Sequence, residues 1–146
     1  MTPIVVGVDG SDAGQAALSW TLAEARARGC AVHAVNVWSL GTVHDFLWAS
    51  RRSLRAQSQS LLRAATGGRG ADVAVECHSP EGAVGPTLVA AAAGAAMLVL
   101  GTRDRVRSRA VIDYCLRHSS VPVVVIRVGQ FHSEPLAAGL AGSRRA

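Results

Sequence analysis

Two stretches of the chain carry residue types suited to a ligand-binding turn. The first is residues 101–115, Gly-Thr-Arg-Asp-Arg-Val-Arg-Ser-Arg-Ala-Val-Ile-Asp-Tyr-Cys, which follow the apolar run Met-Leu-Val-Leu at 97–100. An apolar run that ends in glycine ahead of a helical pattern puts that glycine at a strand-to-helix turn, where open α/β sheets bind ligands. A phosphate held there needs glycines, so that backbone can approach the anion and turn N–H groups towards it. Gly101 is the only glycine in this stretch, which carries Arg103, Arg105, Arg107 and Arg109 instead. The second stretch is Asp9-Gly10-Ser11, closing the apolar run at 3–8. An aspartate at such a turn accepts hydroxyl hydrogen bonds or helps to hold a metal ion.

Other chemistries find little support. His33, His44, His78, His118 and His132 are scattered, and none stands at metal-site spacing from another His or Cys. The expectation is therefore no metal centre, with His33 an ordinary strand histidine and His78 the last residue of a strand. There is no Gly-x-Ser-x-Gly elbow, and a chain without lysine has no Gly-x-x-x-x-Gly-Lys-Ser/Thr loop. Glycines at 7, 10 and 14 do not fit the dinucleotide fingerprint. No residue set presents itself as catalytic.

The composition is that of an ordinary globular protein: 146 residues, 49% hydrophobic and 17% charged, with a formal net charge of +5. Every basic residue is arginine, spread over helices, loop and tail rather than gathered in one stripe, and aromatics are few. Both features disfavour a nucleic-acid surface. Cys30, Cys77 and Cys115 are odd in number, lack Cys-x-x-Cys spacing and sit beside apolar residues, so they read as reduced core cysteines of a cytoplasmic protein. No signal peptide is apparent. Residues 82–102 are uncharged and long enough to suggest a membrane span. Pro86 and the change from Ala-rich to aliphatic character divide them instead into a helix and a strand.

These residues would be positioned by alternating strands and helices. Aliphatic runs at 3–8, 31–37, 97–100 and 121–128, with an alternating one at 72–77, read as strands. Helices are expected from Ser11 or Asp12 to Gly29, then over 43–65, 81–95 and 109–118. The first presents Ala16, Ala17, Trp20, Ala23 and Ala27; the second Leu47, Leu54, Leu61 and Leu62; the fourth Ala110, Val111, Tyr114 and Cys115. Gln15 would complete a capping box with Asp12, and Pro86 fits only the first turn of the third helix. Such alternation specifies an open twisted sheet of five mainly parallel strands with helices on both faces. One domain would span 1–128, and the Gly/Ala-rich tail 129–146 would be poorly ordered. The last strand is flat, apolar and followed by no core-facing helix. At a sheet edge it would pair with its copy to give a homodimer. Trp38 and Trp48 would lie near the crevice mouth.

The segments Ile4-Val-Val-Gly-Val-Asp9-Gly-Ser11, Val32-His-Ala-Val-Asn-Val37, Gly82, Leu98-Val-Leu-Gly101-Thr-Arg103 and Tyr114-Cys-Leu-Arg-His118-Ser-Ser-Val-Pro122-Val-Val-Val-Ile-Arg127 occur in this order. Together they resemble the universal stress protein family over residues 3–128. The resemblance implies an adenine-nucleotide alpha-hydrolase-like fold, dimeric through the last strand, and an ATP site between the first and fourth strands. Val8, Asp9 and Gly10 would then meet ribose or phosphates, the backbone of Val37 the adenine edge, and Gly101 and Arg103 the phosphates. ATP-binding members resemble Gly-x-x-Gly, followed further on by Gly-Ser or Gly-Thr before the last helix. Here the second glycine position holds Asp104, the later pair falls on Arg109-Ala110, and the loop is several residues shorter. An anion at Asp104 and the extra bulk at Arg109 both work against phosphate. The resemblance thus implies a stress-response signalling or protective module, with an unidentified protein partner and no membrane association, whose nucleotide site is degenerate and which has no robust catalysis. Two alternatives stand beside it. One is an ATP-binding member with slow ATPase activity; the other is a module that binds an anionic partner through the Arg103–Arg109 loop.

Overall fold

The computed structural model describes residues 2–41, 50–103 and 106–129. Its elements are β1 (Ile4–Gly7), α1 (Asp12–Arg28), β2 (Val32–Val35), α2 (Arg51–Thr66), β3 (Val75–His78), α3 (Val84–Ala91), β4 (Met97–Thr102), α4 (Val106–His118) and β5 (Val123–Arg127). The strands form one sheet in the order β3-β2-β1-β4-β5, and all four pairings are parallel. The C-terminal ends of all strands therefore lie along one rim. The switch point, where the chain turns from building one half of the sheet to the other, falls between β1 and β4.

The central strands are apolar on both faces because both are covered. One face buries Ile4, Val6, Val32, Ala34 and Val99 with Ala17 and Leu18 of α1 and Leu62 of α2. The other buries Val5, Val35, Leu98 and Leu100 with Leu88 of α3 and Cys115 of α4. Leu18 is completely buried, which by itself contributes about 2 kcal/mol.

α1 starts at Ser11, whose Oγ accepts from Gly14 N at 3.0 Å, and stops at Gly29 in the left-handed conformation (φ 69°). With Ser11 as cap, the expected box of Asp12 with Gln15 does not form; Gln15 instead accepts from Arg69, in the loop before β3. α2 is capped by Ser50 in a reciprocal box with Ser53.

Several expectations shift in detail. α1 buries Ala13, Gly14, Ala17, Leu18, Thr21, Leu22 and Ala25, whereas Ala23 and Ala27 are exposed. In an alanine-rich helix the small residues carry little directional signal, so the two leucines and Thr21 set the face. The Thr21 hydroxyl is buried at no penalty because it donates to Ala17 O at 2.7 Å. α3 is shorter than the expected 81–95 helix at both ends, running from Val84 to Ala91 with Ala92 as its C-cap. Pro86 lies in its first turn, as expected. α4 begins at Val106 rather than at 109, and Ala110 is exposed. Cys30 and Cys115 are buried, but Cys77 is exposed, because β3 is an edge strand. All three thiols are free, and burial pushes the Cys115 thiol above its ordinary pKa. Residues 82–102 divide into α3 and β4, and no helix among the described residues is long and apolar enough to cross a membrane. Leu47, Trp48 and the tail from 130 onwards lie outside the described residues.

Candidate functional site

The rim at the C-terminal ends of β1, β2 and β4 brings together the residues singled out from the sequence. Val8 is buried behind β1, its N–H bonded to Val35 O at 2.8 Å. Asp9 folds over its own turn: its Oδ1 accepts from Ser11 N at 3.0 Å and from Ser11 Oγ at 2.5 Å. Gly10 turns with φ 86°, a conformation that strongly favours glycine. Leu61 of α2 would lie 3.2 Å from a Cβ at this position. Val37 stands past the end of β2, half-buried against the core on the α3–α4 face.

Asn36, passed over in the sequence, ties these ends together. Its Nδ2 donates to Val8 O at 2.7 Å, and its Oδ1 accepts from the buried Ser58 hydroxyl of α2 at 2.6 Å. One amide thus clamps β1, β2 and α2. An Asn directly after an apolar strand was the available signal.

On the β4 side, Gly101 has a different reason for being glycine than the approach of a phosphate. A Cβ there would sit 2.1 Å from Ala13 O and 2.5 Å from Ala13 C, so the first turn of α1 rests directly on the β4 backbone. Arg103 reaches across the crevice and donates to Asp12 Oδ2 at 2.8 Å. Its charge therefore faces the carboxylate at the start of α1. With side-chain exposures of 33% and 82%, this pair adds little stability. β4 ends at Thr102 and α4 begins at Val106, so only residues 103–105 connect them. Arg109 and Ala110 lie inside α4, not in a loop ahead of it. Asp104 and Arg105 lie outside the described residues.

A sequence profile described as the universal stress protein family matches residues 1–127. The chain belongs to the universal stress protein family. Among solved structures it is similar to the universal stress protein UspA from Lactobacillus plantarum, at 23% identity over 86% of this chain and 97% of that one, with a TM-score of 0.71. A universal stress protein from Arabidopsis thaliana with AMP bound shares 21% identity over 87% and 92% of the two chains, at a TM-score of 0.67. One from Archaeoglobus fulgidus in complex with dAMP shares 23% over 86% and 98%, at 0.59. No curated protein matches the chain. The five-stranded parallel sheet with flanking helices is that of these universal stress proteins.

This universal stress protein also has concave space that its sequence did not announce. Two adjoining cavities of about 430 and 370 Å³ sit at the C-terminal end of β3, at the far side of β2 from the switch point. They share Arg55 and Ser79. The larger adds Gln59, Arg63, Cys77 and His78. The smaller is bounded by Trp38, whose Nε1 donates to Ser79 O at 2.7 Å, and by the Arg51–Glu81 ion pair at 3.1 Å. Trp38 thus stands at this cleft and not over the β1–β4 crevice. That Arg55 and Arg63 of α2 would front a cavity depended on β3 packing beside that helix.

Proposed function

We propose that this universal stress protein is a cytoplasmic stress-response module that holds an adenine nucleotide chiefly by its adenosine end, without robust catalysis. The observation that carries the reading is the short β4–α4 connection, 103–105, with Arg103 turned onto Asp12. A β- or γ-phosphate has neither a glycine loop nor an uncommitted Arg103 to meet it. The adenosine end keeps its parts: Val8, Asp9 and Gly10 at the first turn and the Val37 backbone at the end of the neighbouring strand. AMP and dAMP bound to two of the similar proteins support the ligand class.

Calorimetry with AMP and with Mg–ATP tests this. AMP is expected to bind at least as tightly as ATP, and Asp9→Ala to weaken both. ATP binding more than about tenfold tighter than AMP, worth about 1.4 kcal/mol, would overturn the reading, as would an affinity that Asp9→Ala leaves unchanged.

The module acts as a homodimer, paired through residues 121–128. β5 is the edge of the sheet, and Val123, Val124, Val125 and Ile126 are all left half-exposed. An apolar edge of this kind is a template for its own copy. Sedimentation equilibrium should give twice the chain mass at micromolar concentration; a monomer there refutes the pairing. A second reading, an anionic partner, is favoured by the arginine-lined cleft between α2 and β3 rather than by the Arg103–Arg109 loop, because Arg55 and Arg63 line that cleft whereas Arg103 is paired.

A further inference from the structure

Parallel pairing of β2 with β3 sets His33 opposite Glu76, and Val35 opposite His78. Side chains two apart on a strand share a face, so His33, Glu76 and His78 all project on the face that carries Val35. That is the face covered by α3 and α4 over the central strands. At the β3 edge it is open: the side chains of His33, Glu76 and His78 are 27%, 64% and 46% exposed. Glu76 Oε1 lies 3.6 Å from His33 Nε2 and 3.3 Å from His78 Nε2. The two imidazole centroids are 4.9 Å apart, with their planes at 45°. The ligand atoms of all three residues lie within 4.8 Å of one another.

We propose that His33, Glu76 and His78 form a binding site for a borderline divalent transition-metal ion, of which Zn²⁺ is the representative. Tetrahedral zinc with bonds of about 2.0–2.2 Å holds its ligand atoms roughly 3.3–3.5 Å apart. Two of the three separations are already near that value, and the third, within 4.8 Å, has to shorten for all three to hold one ion. Two imidazoles and one carboxylate select Zn²⁺, Co²⁺ or Ni²⁺ over Mg²⁺ or Ca²⁺, which prefer all-oxygen shells. The three protein ligands leave the fourth position of a tetrahedral ion to water or another small ligand. Spacing along the chain gave no hint of this set, because the histidines belong to different strands. Sheet register alone makes them neighbours.

The site stands apart from the β1–β4 crevice and does not depend on nucleotide binding. The test is calorimetric titration of the tag-free, chelator-stripped chain at neutral pH with ZnCl₂, and with MgCl₂ in parallel. One Zn²⁺ per chain and no Mg²⁺ heat are expected. His33→Ala, Glu76→Gln and His78→Ala should each weaken Zn²⁺ binding by at least about tenfold. Cys77→Ser, on the opposite face of β3, and His118→Ala, on α4, should leave it unchanged. Circular dichroism of the metal-free variants checks their folding. Glu76→Gln alters the most exposed of the three ligands and changes only a charge, so it keeps the test alive if His33→Ala fails to fold. An affinity unmoved by Glu76→Gln and His78→Ala, a stoichiometry of one ion per two chains, or no saturable zinc heat overturns the proposal.

Discussion

Gly101→Ala should lower the stability of the protein by about 3 kcal/mol or more, the upper end of what overpacking a core brings. The added methyl would lie 2.1 Å from Ala13 O and 2.5 Å from Ala13 C, distances at which backbone atoms do not coexist. Neither side can yield easily. Gly101 is held in the β4 ladder opposite Ile126, and Ala13 belongs to a first turn fixed by the Ser11 cap. Relief would require α1 to lift from the sheet, uncovering Ala17 and Leu18 from Val6 and Val99. For a domain of this size the midpoint of thermal unfolding should fall by roughly 6–12 °C. Gly94→Ala is the informative comparison: it also meets a backbone constraint, at φ 81°, but finds nothing within 4 Å. Its effect should stay near 1 kcal/mol. A Gly101→Ala protein that melts within about 2 °C of the parent would refute the close approach of α1 to β4.

The second large effect is expected at Asn36. Asn36→Ala removes both the donor to Val8 O and the acceptor for the buried Ser58. Leaving buried polar groups without partners costs about 1–3 kcal/mol. The Ser58 hydroxyl keeps a fallback, since Asn36 O lies 3.2 Å away, so about 2 kcal/mol is the expected loss in urea unfolding. The functional consequence should be larger than that of an equal loss elsewhere. Asn36 precedes Val37 and bonds to the carbonyl of Val8, just ahead of Asp9, so it fixes the relative position of the two strand ends that the proposed adenosine grip uses. AMP affinity should therefore fall along with stability. Leu62→Ala, a fully buried change in α2, should lower stability by about 2–5 kcal/mol while affecting the affinity of the folded protein much less. Equal AMP affinity in the Asn36→Ala and parent proteins would show that the clamp does not shape the rim.

The residue pattern alone dictates the parallel α/β architecture. Val/Ile/Leu runs that alternate with helical segments can bury both faces of a strand only in a parallel sheet, and Gly29, Pro86 and Ser11 place helix ends by purely local chemistry. Asp9-Gly10 and Gly101 could be assigned to the rim for the same reason, since they follow strands whose direction is common to all. It also placed the anomaly of the 101–115 stretch, whose missing glycines are local facts. Tertiary structure decided the rest, because each remaining feature depends on which strands are neighbours. Cys77 is exposed because β3 is an edge, which no property of residues 72–77 dictates. The glycine at 101 answers to the carbonyl of Ala13, far away in the chain. Arg103 turns to Asp12 because β4 lies beside β1. His33, Glu76 and His78 meet only through the register of β2 on β3. Spacing along a chain reports contacts within one element, and these contacts arise where backbone hydrogen bonding between distant strands fixes the distance.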